Sequence, residues 1–434
     1  MKVAVIGGGG REHAIIRKLK ENPTITELYA LPGNGGIGFD AQCVEIPATE
    51  IDRIVEFAQQ KALDFVVVAP DDPLALGLVD RLNAVGIAAF GPTAAAAEIE
   101  SSKVFSKGLM KKYGIPTARY EVFTDADAAA AYIGQAHQFP LVLKADGLAL
   151  GKGVLICEDK KEALAGVRTI MRERLFGSAG NQMVIEEYLT GPEVSVLAFT
   201  DGTTMVPMVS SMDHKRAFDG DAGPNTGGMG TVAPNPFYTP EIAARCEREI
   251  FLPTMAAMNA EGRQFRGCLY FGLMLTPDGP KVIEYNCRFG DPETQVVLPL
   301  LQSDLLTIML AVSEGQLAKV PVQFAQGAAA CVVLASGGYP QSYRRSLPIT
   351  GLTEGQLPGT GVTVYHAGTK QAAGGLVTAG GRVLGVTATA DNLQQAVQRA
   401  YAGAAKIRFE GAHYRRDIGA RALAALGPSS ERSI

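Results

Sequence analysis

The sequence predicts a multidomain α/β and α+β protein that opens with a doubly wound parallel sheet. Residues 1–100 alternate short apolar, β-branched segments with helical segments, a pattern typical of a parallel sheet. Residues 123–190 repeat the alternation on a smaller scale, as a small α+β unit. The chain has 434 residues, of which 47% are hydrophobic, which suffices for two to four domains with sizeable cores.

The elements follow in order along the chain. The first unit has predicted strands at 2–6, 28–31, 64–69 and 87–90 and helices at 11–21, 51–62 and 73–85. The second has helices at 126–135 and 161–176 and strands at 141–146, 154–158 and 183–188. Longer strands at 194–200, 267–276 and 281–286, a helix at 241–261 and a polar glycine-rich loop at 218–230 come next. Strands at 329–335, 362–366 and 381–387 and a helix at 393–406 form the last unit.

Composition excludes several classes of function. The formal net charge is −4, whereas nucleic-acid-binding domains usually carry a basic face, so we expect no nucleic-acid partner. The six cysteines lie far apart without a CxxC pair, which predicts reduced thiols and no zinc site. The first residues lack the apolar stretch of a signal peptide, and no membrane span is visible. We therefore expect a cytoplasmic protein.

The first candidate site is the glycine-rich turn at residues 7–10, between the first strand and the first helix. Such a turn presents backbone N–H groups to an anion. A dinucleotide fingerprint fails on spacing, because Glu12 or His13 stands where its third glycine belongs. A single phosphate beside Arg11 is favoured, and a tight turn without a ligand is the alternative.

The second is the glycine-rich connection after Lys144, residues 146–153. It is not a Walker A loop, because Asp146 replaces the first glycine and no hydroxyl residue follows Lys152. A hairpin that closes over a triphosphate, with Lys144 neutralising phosphate oxygens, is one interpretation. A surface hairpin with two lysines is the other.

The third is the strand end at 184–189, where apolar residues run into Glu186 and Glu187. A strand edge with unpaired backbone groups can bind an adenine ring, and a carboxylate a few residues on, such as Glu193, can bind ribose hydroxyls. By itself the pattern also fits an ordinary amphipathic strand end.

The fourth is the row Glu284, Asn286 and Arg288. Side chains alternate along a strand, so these three share one face. A carboxylate and an amide oxygen suit Mg²⁺ held jointly with phosphates, and the arginine suits a phosphoryl group in transfer. The alternative is a half-exposed strand with a Glu–Arg pair.

The fifth pairs residues 213–216 with the polar loop 223–230. Two cations beside a glycine-rich loop suit a phosphorylated or carboxylate substrate, and an ordinary charged loop is the alternative. His214 has no partner at metal-ligand spacing, and no Ser/His/Asp set is evident, so no histidine is assigned a nucleophilic or metal role.

Together these residues carry a family resemblance. Lys144, the segment 186–189 and the Glu284-x-Asn286-x-Arg288 strand resemble an ATP-grasp nucleotide site. The whole chain resembles the glycinamide ribonucleotide synthetase family through GGREHA at 9–14, FGPT at 90–93, KADGLALGKGV at 144–154, DHKR at 213–216, GPNTGGMG at 223–230, EYNCRFGDPETQ at 284–295, HAGTK at 366–370 and RRDIGARAL at 415–423. The motifs occur in order over nearly the full length.

The resemblance implies four domains and a reaction. The domains are an N-terminal α/β substrate domain (1–102), a lid (123–192), a central ATP-grasp domain (103–122 and 193–327) and a C-terminal domain (328–426). The implied reaction joins glycine to 5-phosphoribosylamine through glycyl phosphate, with ATP cleaved to ADP and phosphate, in de novo purine biosynthesis. It implies Mg²⁺ or Mn²⁺ as the metal, small-molecule partners only, and a monomer or weak homo-oligomer.

The resemblance also implies roles for individual residues. ATP is expected at Lys103, Lys144, Gly147, Gly151, Lys152, Gly153, Glu186, Glu187, Leu189 and Glu193. The substrates are expected at Gly9, Gly10, Arg11, Asp71, Asp213, Lys215, Arg216, Asn225, Gly227, Gly228, Arg288 and Asp291. The metal is expected at Glu284 and Asn286, and Arg288 and Lys144 are the expected catalytic residues.

The chain departs from the family pattern at three points. Gly8 replaces an asparagine, Asp71 replaces a glutamate and Pro192 replaces a glutamate. The first two bear on phosphoribosylamine binding. Two rival functions stay open: another ATP-grasp ligase or carboxylase, and a nucleotide-binding protein without activity. No Met-Lys-Met biotin carrier motif occurs in the sequence.

Overall fold

The N-terminal unit is built on a parallel sheet, as predicted. The computed structural model describes residues 1–148 and 153–427. Five parallel strands lie in the order Gln42–Cys43, Glu27–Pro32, Lys2–Gly7, Phe65–Val68 and Ala88–Phe90. Helices Gly10–Leu19, Ile51–Lys61, Asp71–Ala75 and Leu78–Ala84 connect them. The carboxyl ends of the strands therefore share one edge, which is where open α/β sheets bind ligands.

The prediction of one helix over 73–85 is wrong. Helix Asp71–Ala75 ends before Gly77, which takes a left-handed φ of 80° and starts the second helix, Leu78–Ala84. Only glycine adopts this conformation readily, so the break is local to that residue. Two further helices follow, Ala94–Ser101 and Lys103–Tyr113.

The second unit is a four-stranded antiparallel sheet. Its strands lie in the order Tyr120–Phe123, Met183–Glu187, Leu141–Ala145 and Val154–Cys157, with helices Ala126–Gln135 and Lys160–Val167. The second helix is shorter than predicted, because it changes to a π-helical turn at Arg168–Arg172 and Arg174 then has φ of 49°. The tip of the glycine-rich connection, 149–152, lies outside the described residues.

The central unit is also an antiparallel sheet. Its order is Met205–Pro207, Glu193–Thr200, Gly267–Thr276 and Gly279–Asn286. The predicted helix 241–261 is a continuous helical segment formed by Pro240–Cys246, a π-helical turn Glu247–Phe251, and Leu252–Ala260. Thr239 caps its start by accepting a hydrogen bond from Ile242 N at 3.4 Å. The short helix Thr294–Val297 and the apolar helix Leu305–Glu314 follow the last strand.

The last sheet crosses a predicted domain boundary. Its antiparallel strands are Met212–Asp213, Gly230–Ala233, Ala328–Ala335, Arg382–Ala390 and Val362–His366. Helices Leu393–Ala404 and Ala420–Leu426 and the hairpin Thr369–Ala372 with Gly375–Thr378 complete this unit. The first two strands come from the segment assigned to the central domain, so the predicted division at 327 and 328 does not separate this sheet.

The predicted loop 218–230 is partly a hairpin. Strand Arg216–Phe218 pairs with Ala222–Asn225. The buried side chain of Arg415 holds the turn, because it donates to Asp221 Oδ1 at 2.8 Å and to Arg216 O at 3.2 Å. The motif around Arg415 thus fixes the shape of the polar loop from the opposite end of the chain.

Two other motifs join the first and last units. Asn34 Nδ2 donates to Gly8 O at 2.9 Å and to His366 O at 2.8 Å. His366 N donates to His13 Nδ1 at 2.8 Å, and His13 Nε2 lies 3.1 Å from Asp40 Oδ2. The histidines of the two motifs are buried and structural. Within the described ranges, every helix is too short or too polar to cross a membrane.

Candidate functional site

One large cleft collects most of the predicted site residues. Its volume is about 960 Å³. The predicted residues that line it are Arg11, Asp71, Lys103, Lys144, Gly153, Glu186, Glu187, Leu189, Glu193, Asp213, Lys215, Arg216, Asn225, Gly227, Glu284, Asn286, Arg288 and Asp291. Gly9, Gly10, Gly147 and Gly228 are not lining residues, and Gly151 and Lys152 lie outside the described residues.

The predicted metal row lies on and just beyond strand Gly279–Asn286. A register shift opposite Gly272 and Leu273 places an extra residue before Glu284, and the next positions alternate regularly. Arg288 Nη2 lies 3.4 Å from Asn286 Oδ1 and 3.1 Å from Glu100 Oε1. Although burial disfavours the charged guanidinium, Glu100 raises the pKa of Arg288 above its ordinary value. The guanidinium therefore stays charged beside the oxygen atoms of Asn286 and Glu100.

Glu284 is held in its ionised form. Burial alone would raise its pKa, but Lys215 and Lys144 outweigh burial and leave the pKa below its ordinary value. Lys215 Nζ lies 3.4 Å from both Glu284 Oε1 and Glu193 Oε2. An ionised carboxylate and an amide oxygen are suitable ligands for Mg²⁺. In residues 1–148 and 153–427, three or more His, Cys, Asp or Glu side chains do not gather as a metal site.

A cluster of lysines also lines the cleft. Lys144 forms an ion pair with Glu186 and donates to Ile283 O at 3.0 Å. Lys103 Nζ donates to Gly147 O at 2.8 Å, and burial lowers its pKa. Lys107, which the sequence reasoning missed, also pairs with Glu186. Its position one helical turn after Lys103 was the available signal.

The strand end 184–189 forms the edge beside this cluster. The Glu187 carboxylate accepts hydrogen bonds from Arg119 Nε at 2.8 Å and from the backbone N of Arg119 at 3.0 Å. It is therefore already bound within the protein. Residues 188–191 line the cleft beyond Glu187, the last paired position of the strand. The binding of an adenine ring at this edge stays a prediction.

The glycine turn is more tightly packed than an open anion site. Gly9 N donates to Glu12 Oε2 at 2.6 Å, and Arg11 N donates to Asp291 Oδ2 at 3.4 Å. A Cβ added at Gly10 would lie 2.5 Å from Gln295 Nε2. Two of the N–H groups expected to meet a phosphate therefore already meet carboxylates. What reaches the cleft from this turn is the side chain of Arg11.

Asp291 is anchored by the C-terminal unit. Arg382 Nη1 donates to Asp291 O at 2.7 Å and to Gly227 O at 2.6 Å, and it lies 3.4 Å from Asp291 Oδ1. Burial would raise the pKa of Asp291, but Arg382 and Arg11 hold it below its ordinary value. Arg382 was not predicted, because nothing local in the sequence links it to a segment about 90 residues away.

Asp213 and Glu293 are two buried acids at the same end of the cleft. Burial, followed by repulsion from Glu293, raises the pKa of Asp213 well above its ordinary value. Burial likewise raises the pKa of Glu293, whose Oε1 accepts from Ser195 Oγ at 3.4 Å. The pair would be stabilised by an added cation, because a positive charge between two carboxylates removes their mutual repulsion.

Three domain models of one family together match most of the chain. The Phosphoribosylglycinamide synthetase N domain matches residues 1–100, the ATP-grasp (A) domain matches 101–294, and the C domain matches 329–421. The ATP-grasp prediction is therefore confirmed.

Two relatives of one name match this chain over nearly their full length, and a longer relative matches over part of its length. Phosphoribosylamine–glycine ligase of Chlorobaculum tepidum is 46% identical, with 98% of this chain and 100% of that protein covered. The ligase of the same name from Nostoc sp. is 49% identical, with 97% and 99% covered. The human trifunctional purine biosynthetic protein adenosine-3 is 46% identical, and the match spans 42% of it.

Two solved structures are similar to this chain in fold. Phosphoribosylamine–glycine ligase of Thermotoga maritima has a TM-score of 0.84 and 37% identity, with 96% of this chain and 100% of that chain covered. Biotin carboxylase of Campylobacter jejuni has a TM-score of 0.73 at 15% identity, with 95% and 93% covered, which shows a shared fold alone. On the three matched domains and the full-length relatives, the chain belongs to the phosphoribosylglycinamide synthetase family.

Proposed function

We propose that this protein is a phosphoribosylamine–glycine ligase, which joins glycine to 5-phosphoribosylamine and cleaves ATP to ADP and phosphate. The observation that carries the proposal is the gathering of these groups in one cleft. Glu284, Asn286 and Arg288 line it together with Lys103 and Lys144, and Lys144 Nζ donates to Ile283 O, next to Glu284 in the chain. That arrangement suits a nucleoside triphosphate in phosphoryl transfer. Relatives of the same length carry this name.

The proposed chemistry has two steps. An oxygen of the glycine carboxylate attacks the γ-phosphorus of ATP, the bond to the β-phosphate oxygen breaks, and ADP leaves. The amine of phosphoribosylamine then attacks the acyl carbon of glycyl phosphate, phosphate leaves, and the nitrogen loses a proton. A divalent cation at Glu284 and Asn286 would supply charge neutralisation for the phosphates. Arg288 and Lys144 add fixed positive charge where negative charge develops.

Glycine is best accommodated beside Asp213. Asp291, the other candidate, is already paired with Arg382, whereas the carboxylate of Asp213 accepts from neutral donors, His214 N at 2.7 Å and Thr231 Oγ1 at 3.4 Å, and would gain from a cation. The ammonium of glycine supplies that cation. The carboxylate of glycine would then extend toward Arg288, whose charge the surrounding acids maintain.

Phosphoribosylamine is assigned to the end of the cleft near Arg11 and Asp71. Both side chains line it, and Asp71 begins the helix that follows the fourth strand of the parallel sheet in chain order. The proposal extends to Mg²⁺ as the metal, with Mn²⁺ as a substitute, to a cytoplasmic location and to a monomer or weak homo-oligomer.

The test is release of ADP with each substrate omitted in turn. Purified protein with ATP, Mg²⁺, glycine and freshly made phosphoribosylamine should release ADP and phosphate in equal amounts and form glycinamide ribonucleotide. Omission of either cosubstrate should abolish product formation. ADP release that depends instead on bicarbonate would identify a carboxylase, and nucleotide binding without any turnover would identify a binding protein.

A further inference from the structure

Three buried charges lie together in the wall of the cleft. Lys107, Lys144 and Glu186 are 3%, 4% and 5% exposed. Glu186 Oε1 pairs with Lys144, and Oε2 lies 2.5 Å from Lys107 Nζ without the angle of a directed hydrogen bond. One carboxylate therefore serves two ammonium groups. Such sharing is costly in a desolvated place and is unusual unless something else compensates the extra charge.

The second lysine is held by its own contacts. Lys107 Nζ donates to Thr117 Oγ1 at 2.7 Å, and Thr117 Oγ1 donates to Val282 O at 2.7 Å. Lys144 donates to the next carbonyl, Ile283 O. Lys107 comes from helix Lys103–Tyr113, whereas Glu186 and Lys144 come from the second sheet. The two ammonium groups thus occupy neighbouring positions along the strand that carries Glu284.

The net charge of these three residues indicates what the arrangement does. Two lysines and one glutamate leave one net positive charge, and all three side chains line the nucleotide cleft, with Lys103 as a further neighbour. Burial lowers the pKa of Lys107 to about 8, while Glu186 opposes the shift, so the ammonium form prevails at neutral pH. If Lys107 were absent, Glu186 would neutralise Lys144 alone, and the net charge that these three groups present to the phosphates would disappear.

We propose that Lys107 is a positioning residue for the triphosphate: it shares Glu186 with Lys144 and so keeps the positive charge of Lys144 available to the phosphates. The inference rests on the proposed function only in taking ATP as the ligand. It concerns the charge balance around Lys144 rather than a new contact with the nucleotide.

The first test is Lys107→Met, which keeps the length of the side chain and removes its charge. Affinity for a non-hydrolysable ATP analogue with Mg²⁺, measured by calorimetry, should fall about tenfold, the size of one partly screened charge interaction. Affinity for adenosine, which has no phosphate, should stay within about twofold. Lys107→Arg should retain most of the analogue affinity.

Lys111→Met is the matched control. Lys111 lies one turn further along the same helix, is exposed, and shares with Lys107 a position over the Tyr120 ring, at 5.8 Å from its centroid. Its replacement should leave both affinities unchanged. A general defect of this helix would lower both adenosine and analogue binding and would count against a charge effect.

The double variant Lys107→Met with Glu186→Gln separates charge from structure. It leaves Lys144 as the one charged member, which restores the original net charge. Analogue affinity should return to within about threefold of the parent protein. Affinity of the double variant no better than that of Lys107→Met, or an unchanged affinity in Lys107→Met itself, overturns the inference. Failure of the parent protein to bind the analogue would instead contradict the proposed function.

Discussion

Glu284 is the residue on which the proposed metal chemistry depends most. Its carboxylate is ionised because Lys215 and Lys144 lie close to it, and Lys215 would still pair with Glu193 if Glu284 lost its charge. Glu284→Gln keeps the shape of the side chain, so we expect unchanged thermal unfolding. Turnover should fall about 100-fold or more, the usual effect of removing one charge from an electrostatic clamp. Steady-state ADP release at limiting and saturating Mg²⁺ measures the turnover of the variant and of the parent protein.

Glu247→Gln is the control for this experiment, because Glu247 is exposed and outside the cleft. It should behave like the parent protein. Near-normal turnover of Glu284→Gln at limiting Mg²⁺ would remove Glu284 from the proposed metal site.

At the scale of single residues, the sequence predicted what a local pattern can encode. Glu284, Asn286 and Arg288 were found because a strand alternates its side chains, and Lys144 because a glycine-rich connection follows it. Glu100, Lys107 and Arg382 were not found. Each acts on a group that is distant in sequence. Helical spacing places Lys107 one turn after Lys103, but it carries no information about the contact of Lys107 with Glu186.

At the scale of elements, the contact between the glycine turn and the C-terminal unit explains why both segments carry motifs. Asn34 Oδ1 accepts from Gly36 N and Ile37 N, both at 2.9 Å, in addition to the two bonds from its Nδ2. Asn34→Ala breaks all four. We expect the free energy of unfolding to fall by about 2 kcal/mol or more, because the abandoned backbone groups are partly buried. Urea denaturation monitored by circular dichroism measures the loss.

Asn83→Ala is the corresponding control, since Asn83 is exposed on helix Leu78–Ala84. Its effect should stay within about 0.5 kcal/mol. Equal stability of the two variants would show that Asn34 does not hold the units together.

Strand and helix positions were largely predictable, and the exceptions have physical reasons. The alternating pattern of the first 100 residues gave the parallel sheet, because its strands are continuous apolar runs. The prediction of one helix over 73–85 failed at Gly77, where the chain takes a left-handed conformation that glycine adopts readily. The hairpin inside 218–230 was missed because the buried side chain that fixes it, Arg415, lies far along the chain.

At the scale of the whole molecule, the cleft draws its walls from all of the units. The parallel sheet contributes Arg11 and Asp71, the second sheet contributes Lys144 and Glu186, and the last unit contributes Arg382. The last sheet takes strands Met212–Asp213 and Gly230–Ala233 from the central segment. This pairing connects the polar loop 218–230 to the C-terminal unit. Sequence resemblance indicated a shared cleft, whereas this exchange of strands depends on pairing that a single sequence does not display.

The chemistry of the cleft makes a prediction about the path of one oxygen atom. Burial raises the pKa of all six cysteines, which holds them as thiols rather than as nucleophilic thiolates. The positive groups Arg288, Lys144 and Lys103 surround the expected phosphates instead. The substrate carboxylate is then the phosphate acceptor, as proposed above.

Glycine labelled with heavy oxygen in its carboxylate should therefore transfer one labelled oxygen to inorganic phosphate in each turnover, detected by mass spectrometry. The amide of the product should keep the other. The control is unlabelled glycine in water labelled with heavy oxygen. It should give unlabelled phosphate in a single turnover, because water does not take part in either step. An adenylating enzyme would release pyrophosphate and carry the label in AMP. Labelled AMP, or unlabelled phosphate from labelled glycine, would contradict the acyl phosphate route and the roles given to Arg288 and Lys144.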